Sequence, residues 1–129
     1  MSATAPLPVA IIDDDASLCR SLGRLLRLAG FQPLAFASAE DFLHADGRAA
    51  LRCLLIDIQL GGISGIALHR LLLAAGDRTP VIFITAQEEP AMRSEALRAG
   101  CAGFFRKTDD GRLVVAALRA ATGAPEPQR

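Results

Sequence analysis

The chain has 129 residues, 51% of them apolar, with 14 basic and 14 acidic side chains and a formal net charge of zero. That length suits one domain with a sizeable core, while the even charge balance speaks against nucleic-acid binding through a basic face. No apolar run approaches a membrane span, the N-terminus lacks the basic-then-apolar plan of a signal peptide, and Cys19, Cys53 and Cys101 read as small buried hydrophobes of a reducing, cytoplasmic compartment.

Short apolar runs alternate with longer stretches of helical period. Val9 to Ile12 is a continuous apolar run, the mark of a strand covered on both faces. Leu18, Leu22, Leu25, Leu26 and Ala29 then recur at helical spacing, and Gly30 closes that helix. Pro33 to Phe36 reads as a weaker second strand. Ser38 is a good N-cap for a short helix to about Ala45, with Glu40 and Asp41 in its first turn. Cys53 to Ile56 is a third strand, followed by the glycine-rich turn QLGGISG. Ile66, Leu68, Leu71, Leu72 and Ala75 mark a third helix, and Val81 to Ile84 a fourth strand. Pro90 suits a first helical position and opens a fourth helix ending at Ala99-Gly100. Ala102 to Phe105 is a fifth strand, and Leu113 to about Ala121 a fifth helix.

Five strand–helix repeats predict a parallel α/β sheet with helices on both faces, flavodoxin-like and doubly wound in strand order 2-1-3-4-5. The domain is placed at residues 7–122, with an N-terminal extension at 1–6 and a Pro-rich, linker-like tail at 123–129. In such sheets ligands sit beyond the carboxyl ends of the strands, at the switch point between the first and third.

The residues delivered there are Asp13, Asp14 and Asp15 from the first strand, Asp57 from the third, Thr85 from the fourth and Lys107 from the fifth. Convergence of Asp13, Asp14 and Asp57 would be strongly repulsive without a cation, and a hard divalent ion such as Mg²⁺, with Mn²⁺ also admissible, resolves it. Asp15 reads as the cap of the following helix. The chain has thirteen Arg and a single Lys, so Lys107 marks a place that needs a compact ammonium on a flexible stem. With Thr85 as a hydroxyl donor, Asp57 is left as the nucleophile, since a carboxylate can form an acyl phosphate.

The segments IIDDD, LLIDIQLGGISG, VIFITA and GCAGFFRK resemble, in order and spacing, the receiver domain of bacterial two-component response regulators. FASAEDFL and GISGIALHRLL are similar to the FixJ-type (LuxR/NarL) branch, whose members usually carry a helix-turn-helix effector domain after the receiver. The resemblance implies that Asp57 is the phosphoacceptor and that Asp13 and Asp14 hold Mg²⁺ together with Asp57 and the Gln59 backbone carbonyl. It also implies that Thr85 and Lys107 bind the phosphoryl group, and it offers Phe104 as an aromatic whose rotamer follows Thr85, a packing role fitting Phe104 equally well. Gln59 and Gln87 border the site and are expected to tune hydrolysis of the acyl phosphate.

The implied partners are a sensor histidine kinase or phosphotransfer protein, and a second copy meeting the face formed by the fourth helix, fifth strand and fifth helix. No direct contact with nucleic acid or membrane is expected. Thr108 stands where the family usually has a cis proline, and because a cis non-proline bond costs about 2.5–4 kcal/mol, Lys107–Thr108 is expected to be trans. The turn after Asp57 also departs from the family, with Gly61-Gly62 replacing the more usual Met-Pro.

Three rival readings use the same residues. A Mg²⁺-dependent aspartyl-phosphate phosphatase would want a second acid two residues after the nucleophile, where Gln59 stands. A degenerate receiver that only binds partners is opposed by the full set of acidic, hydroxyl and lysine residues, while Thr108 in place of the family's proline keeps it open. A flavodoxin would place a dinegative phosphate beside three carboxylates. Arg20, Arg24 and Arg27 form a stripe on the first helix, read as a solvated face or as a dock for an acidic partner. His44 and His69 are expected to be non-catalytic.

Overall fold

A computed structural model describes residues 5–87 and 89–124. The expected tail therefore falls mostly outside the described residues, as does the start of the N-terminal extension. Five parallel strands, β1 (Leu7–Ile12), β2 (Phe31–Phe36), β3 (Cys53–Asp57), β4 (Val81–Thr85) and β5 (Gly103–Arg106), form one sheet in the order β2-β1-β3-β4-β5. Between and after them run α1 (Ala16–Leu28), α2 (Ala39–Leu43), α3 (Gly65–Ala74), α4 (Pro90–Arg98) and α5 (Gly111–Thr122). This is the doubly wound order expected from the sequence.

The inner strands β1, β3 and β4 are apolar up to their carboxyl ends because both faces are covered, while the edge strands β2 and β5 are partly exposed. Ala10, Ile12, Leu54, Ile56, Val81, Phe83 and Phe104 point to one side, where Phe42 of α2, Leu68 and Leu72 of α3 and Ala96 of α4 pack on them. Val9, Ile11, Cys53, Leu55, Ile82 and Ile84 point to the other, against Leu22 and Leu26 of α1 and Val114 and Leu118 of α5. Each fully buried side chain of this size contributes about 1.5–3 kcal/mol. A one-residue slip of a central strand would exchange its two sets of partners.

Helix starts follow the caps written in the sequence. Asp15 accepts from the Leu18 N–H at 3.1 Å, Ser38 from Asp41 at 3.0 Å, Ser64 from Ala67 at 3.1 Å and Asp110 from Arg112 at 3.0 Å. Several boundaries differ from the sequence reading: β1 and β2 each start two residues earlier, at Leu7 and Phe31, and β3, β4 and β5 each run one residue further. The fifth strand begins at Gly103 rather than Ala102, and α5 begins at Gly111 rather than Leu113. At the glycine start of α5 a Cβ would lie 2.5 Å from Leu25 Cδ2 of α1, so a larger residue there would require Leu25 to turn aside. Cys53 is buried as expected, but Cys19 and Cys101 are only half-buried. No helix among the described residues is long and apolar enough to cross a membrane.

Candidate functional site

The parallel order puts the carboxyl ends of β1, β3, β4 and β5 along one edge of the sheet, and each ends in a polar residue. Asp13 continues β1, its N–H donating to the Phe36 carbonyl of β2 at 3.0 Å. Asp57 is the last residue of β3, Thr85 the last of β4, and Lys107 follows directly on β5. The Lys107 N–H donates to the Thr85 carbonyl at 2.8 Å, so the ladder itself fixes where the lysine stem begins.

The three adjacent aspartates have three different surroundings. Asp13 is 3% exposed and its Oδ1 accepts from the Asp15 N–H at 2.8 Å. Asp14 is exposed, and Asp15, also exposed, caps α1. Asp57, from the neighbouring strand, is 4% exposed and accepts from the Gln59 N–H at 2.9 Å.

Lys107 joins the two buried carboxylates. Its Nζ lies 3.1 Å from Asp13 Oδ2 and 3.2 Å from Asp57 Oδ2. Burial opposes the ammonium, but hydrogen bonds and charge from Asp13 and Asp57 outweigh it and raise its pKa above the usual 10.5. For Asp13 burial dominates, with the charge on Asp57 adding to it, and its pKa is raised above 3.8 despite the Asp15 N–H and Lys107. One ammonium against three carboxylates leaves two net negative charges.

Asp13, Asp14 and Asp57 each bring one carboxylate oxygen within 4.8 Å of the others. All the donors are hard oxygens and the excess charge is minus two, so the set fits a hard divalent cation such as Mg²⁺. The structure thus brings together Asp13, Asp14, Asp57 and Lys107 as the sequence predicts.

Thr85 is fully buried beside them, but its hydroxyl is engaged in its own turn. Oγ1 donates to the Gln87 carbonyl at 2.7 Å and accepts from the Gln87 N–H at 3.2 Å. The Gln59 amide donates to the Gln87 side-chain oxygen at 3.4 Å, linking the β3–α3 and β4–α4 loops across the mouth of the site. Phe104 is buried in the core, and the Arg93 guanidinium of α4 lies 5.2 Å above its ring.

Several contacts were not read from the sequence. Gly65 opens α3 so close to β3 that a Cβ would collide with the Asp57 carbonyl oxygen, a constraint that the GISG turn carries without declaring its cause. Asp109 returns its carboxylate to the Arg106 N–H at 2.9 Å. His69 is buried against Phe83, with ring centroids 5.7 Å apart and no hydrogen-bond partner for Nδ1 among the described residues. Its spacing of three from both Ile66 and Leu72 was the available signal. Lys107–Thr108 is trans, as expected, since no cis peptide bond occurs among the described residues. Arg20, Arg24 and Arg27 are exposed on α1.

The family described as the response regulator receiver domain matches residues 9–119. The response regulator protein TodT of Pseudomonas putida is 33% identical over 121 residues, covering 94% of this chain and 53% of its own length. The transcriptional regulatory protein FixJ of Azorhizobium caulinodans is 35% identical over 122 residues, covering 95% and 58% respectively. The chain therefore spans little more than half the length of these relatives. Among solved structures, the response regulator StyR is 34% identical with a TM-score of 0.82, over 93% of this chain and 60% of that one. A CheY-like receiver domain protein from Methanospirillum hungatei JF-1 shares the fold at 19% identity and a TM-score of 0.82, over 92% and 94%. Matched over residues 9–119, which reach into all five strands, the chain belongs to the response regulator receiver domain family.

Proposed function

We propose that Asp57 is the phosphoacceptor of this receiver, taking a phosphoryl group from the phosphohistidine of a sensor kinase or phosphotransfer protein. A carboxylate oxygen of Asp57 forms the new O–P bond as the P–N bond to the donor imidazole breaks. The departing nitrogen keeps the electron pair and takes a proton from solvent. The observation that carries this reading is the convergence of Lys107 on both Asp13 and Asp57, which places a cation beside the oxygen that would attack.

Asp13, Asp14 and Asp57, with the Gln59 backbone carbonyl, are the residues that would hold Mg²⁺. Bound there, the ion offsets the charge of the incoming phosphoryl group beside these carboxylates. Lys107 turns from its carboxylates toward a phosphoryl oxygen, and Thr85 donates its hydroxyl to another. To do so Thr85 must give up its 2.7 Å bond to the Gln87 carbonyl, so the β4–α4 loop moves with the chemistry. Phe104 follows, and its ring must leave the Arg93 guanidinium that covers it. The face of α4, β5 and α5 is thereby reshaped for a partner, a second copy of the chain included.

Gln59 and Gln87, paired at the mouth of the site, tune the access of water to the acyl phosphate. The chain itself is a signalling module of the cytoplasm rather than an enzyme acting on a separate substrate, and its output passes through an effector such as the transcriptional domain of its relatives.

The test is incubation with Mg²⁺ and acetyl phosphate, followed by intact-protein mass spectrometry. The protein is expected to gain one phosphoryl group and Asp57→Asn none. A wild-type protein that gains nothing would point instead to a receiver that binds partners without phosphorylation.

A further inference from the structure

Lys107 reaches its carboxylates from a turn that a single residue closes in both directions, once through its backbone and once through its side chain. The turn runs from Arg106, the last residue of β5, to Asp109. The Asp109 N–H donates to the Arg106 carbonyl at 3.0 Å, and Asp109 Oδ2 accepts from the Arg106 N–H at 2.9 Å. The other carboxylate oxygen, Oδ1, lies 3.7 Å from Arg106 Nε. Asp109 thus holds both polar groups of the Arg106 backbone and bears on its side chain as well.

Position explains why such a bracket is needed. Strand β5 is the edge of the sheet. The Lys107 N–H points inward to the Thr85 carbonyl, so the alternation of a strand turns the Arg106 N–H outward, where no neighbouring strand can accept it. Beyond Lys107 the chain leaves the sheet through exposed Thr108, whose φ is free of any ring constraint. Without the Asp109 carboxylate, only the ladder bond and the Asp109 N–H bond to the Arg106 carbonyl would hold the base of a long, flexible side chain whose tip lies near 3 Å from two carboxylates.

We infer that Asp109 is a positioning residue for Lys107: by bracketing the Arg106 backbone it fixes the point from which the lysine stem departs, and so the reach of the ammonium toward the phosphoryl site. This rests on the proposed role of Lys107 in phosphoryl transfer. Asp109 touches neither the acidic cluster nor a phosphoryl group, and it acts through the placement of its neighbour. Its residue type fits the task, because a short carboxylate that folds back on a nearby backbone N–H makes a charge-assisted bond.

Lys107 is the only lysine in the chain, which permits a direct reading. In protein labelled selectively with ¹³C-lysine, one ε-methylene group is observed, and a fixed stem gives its two protons distinct shifts. Asp109→Ala is expected to collapse that pair toward a single averaged signal without phosphodonor present. The acetyl phosphate reaction should slow by about three- to tenfold, a coupling ordinary for residues in contact. Asp109→Asn retains an acceptor of the same reach and should keep the split signals and a rate within about twofold of wild type. Asp109→Leu matches that shape without an acceptor, behaves as alanine does, and keeps the test open if alanine loosens the fold. Split signals at wild-type shifts in both Asp109→Ala and Asp109→Leu overturn the assignment. Should the wild-type protein accept no phosphoryl group, the functional reading fails on its own while the lysine signals still decide the role of Asp109.

Discussion

Asp13, Asp14 and Asp15 carry the same side chain on consecutive residues, and their energetics diverge at once. Asp15 spends its carboxylate on a helix N-terminus and Asp14 remains in water, while only Asp13 is carried inward. A buried carboxylate is tolerable only with partners, and Asp13 has the Asp15 N–H and Lys107. His69 is the opposite case, a buried polar ring whose Nδ1 has no partner among the described residues. Burial lowers its pKa below 6.5, so the folded protein favours the neutral ring. The unfolded chain binds the extra proton first, and stability is therefore full above pH 6.5 and falls as the pH drops through and below that value. Thermal melts of the wild type against His69→Leu, recorded from neutral to mildly acidic pH, should diverge in that range, with the wild type losing more. Parallel profiles would show that His69 carries no such linkage. Residues that announce themselves by ending a strand, such as Asp57, Thr85 and Lys107, were legible in the sequence. Asp109 was not, because its function is a bond directed backwards along a turn that periodicity does not describe.

At the level of elements, β1, β3, β4 and β5 could be read because each is an apolar run closed by a polar residue, while β2, interrupted by Gln32, gave the weaker signal. Their pairing followed from the alternation with helices. The ends of helices were less visible: Gly111 and Arg112 add nothing to an apolar stripe, so α5 showed itself only from Leu113, although Asp110 caps it three residues earlier. Gly65 shows how an element boundary can serve the site. It begins α3 against the Asp57 carbonyl, with the Gly65 N–H donating to Ile58 at 2.9 Å. Gly65→Ala should push α3 off the end of β3, costing about 1–3 kcal/mol and shifting Asp57. Chemical denaturation would measure the loss, and the acetyl phosphate reaction would show the displacement of Asp57, the proposed nucleophile, as a slower rate. A variant of wild-type stability would mean that α3 can retreat without cost.

For the molecule as a whole, the zero net charge conceals a local imbalance of two negative charges at one end of the sheet. Divalent cations should therefore act through that cluster rather than through a general field. Because the unfolded chain has no such cluster, Mg²⁺ binding should raise the melting temperature. At one hundred times the dissociation constant the gain is about 2.7 kcal/mol, roughly 10 °C for a domain of this size. Sodium chloride at matched ionic strength should give no comparable rise, and Asp13→Asn should lose most of the effect. An equal rise with sodium chloride would remove the case for a specific ion site.

The hydroxyl of Thr85 held by the Gln87 carbonyl also sets a resting bias. A neutral hydrogen bond of this kind is worth about 1 kcal/mol net, or about a fivefold preference at room temperature. A contact of that size holds the loop in place without locking it, so thermal motion alone releases the threonine in a minor share of unphosphorylated molecules. The same modest hold means that a single new bond to a phosphoryl oxygen is enough to reverse the preference. The domain is built to be tipped by one group, at the cost of some signal in its absence.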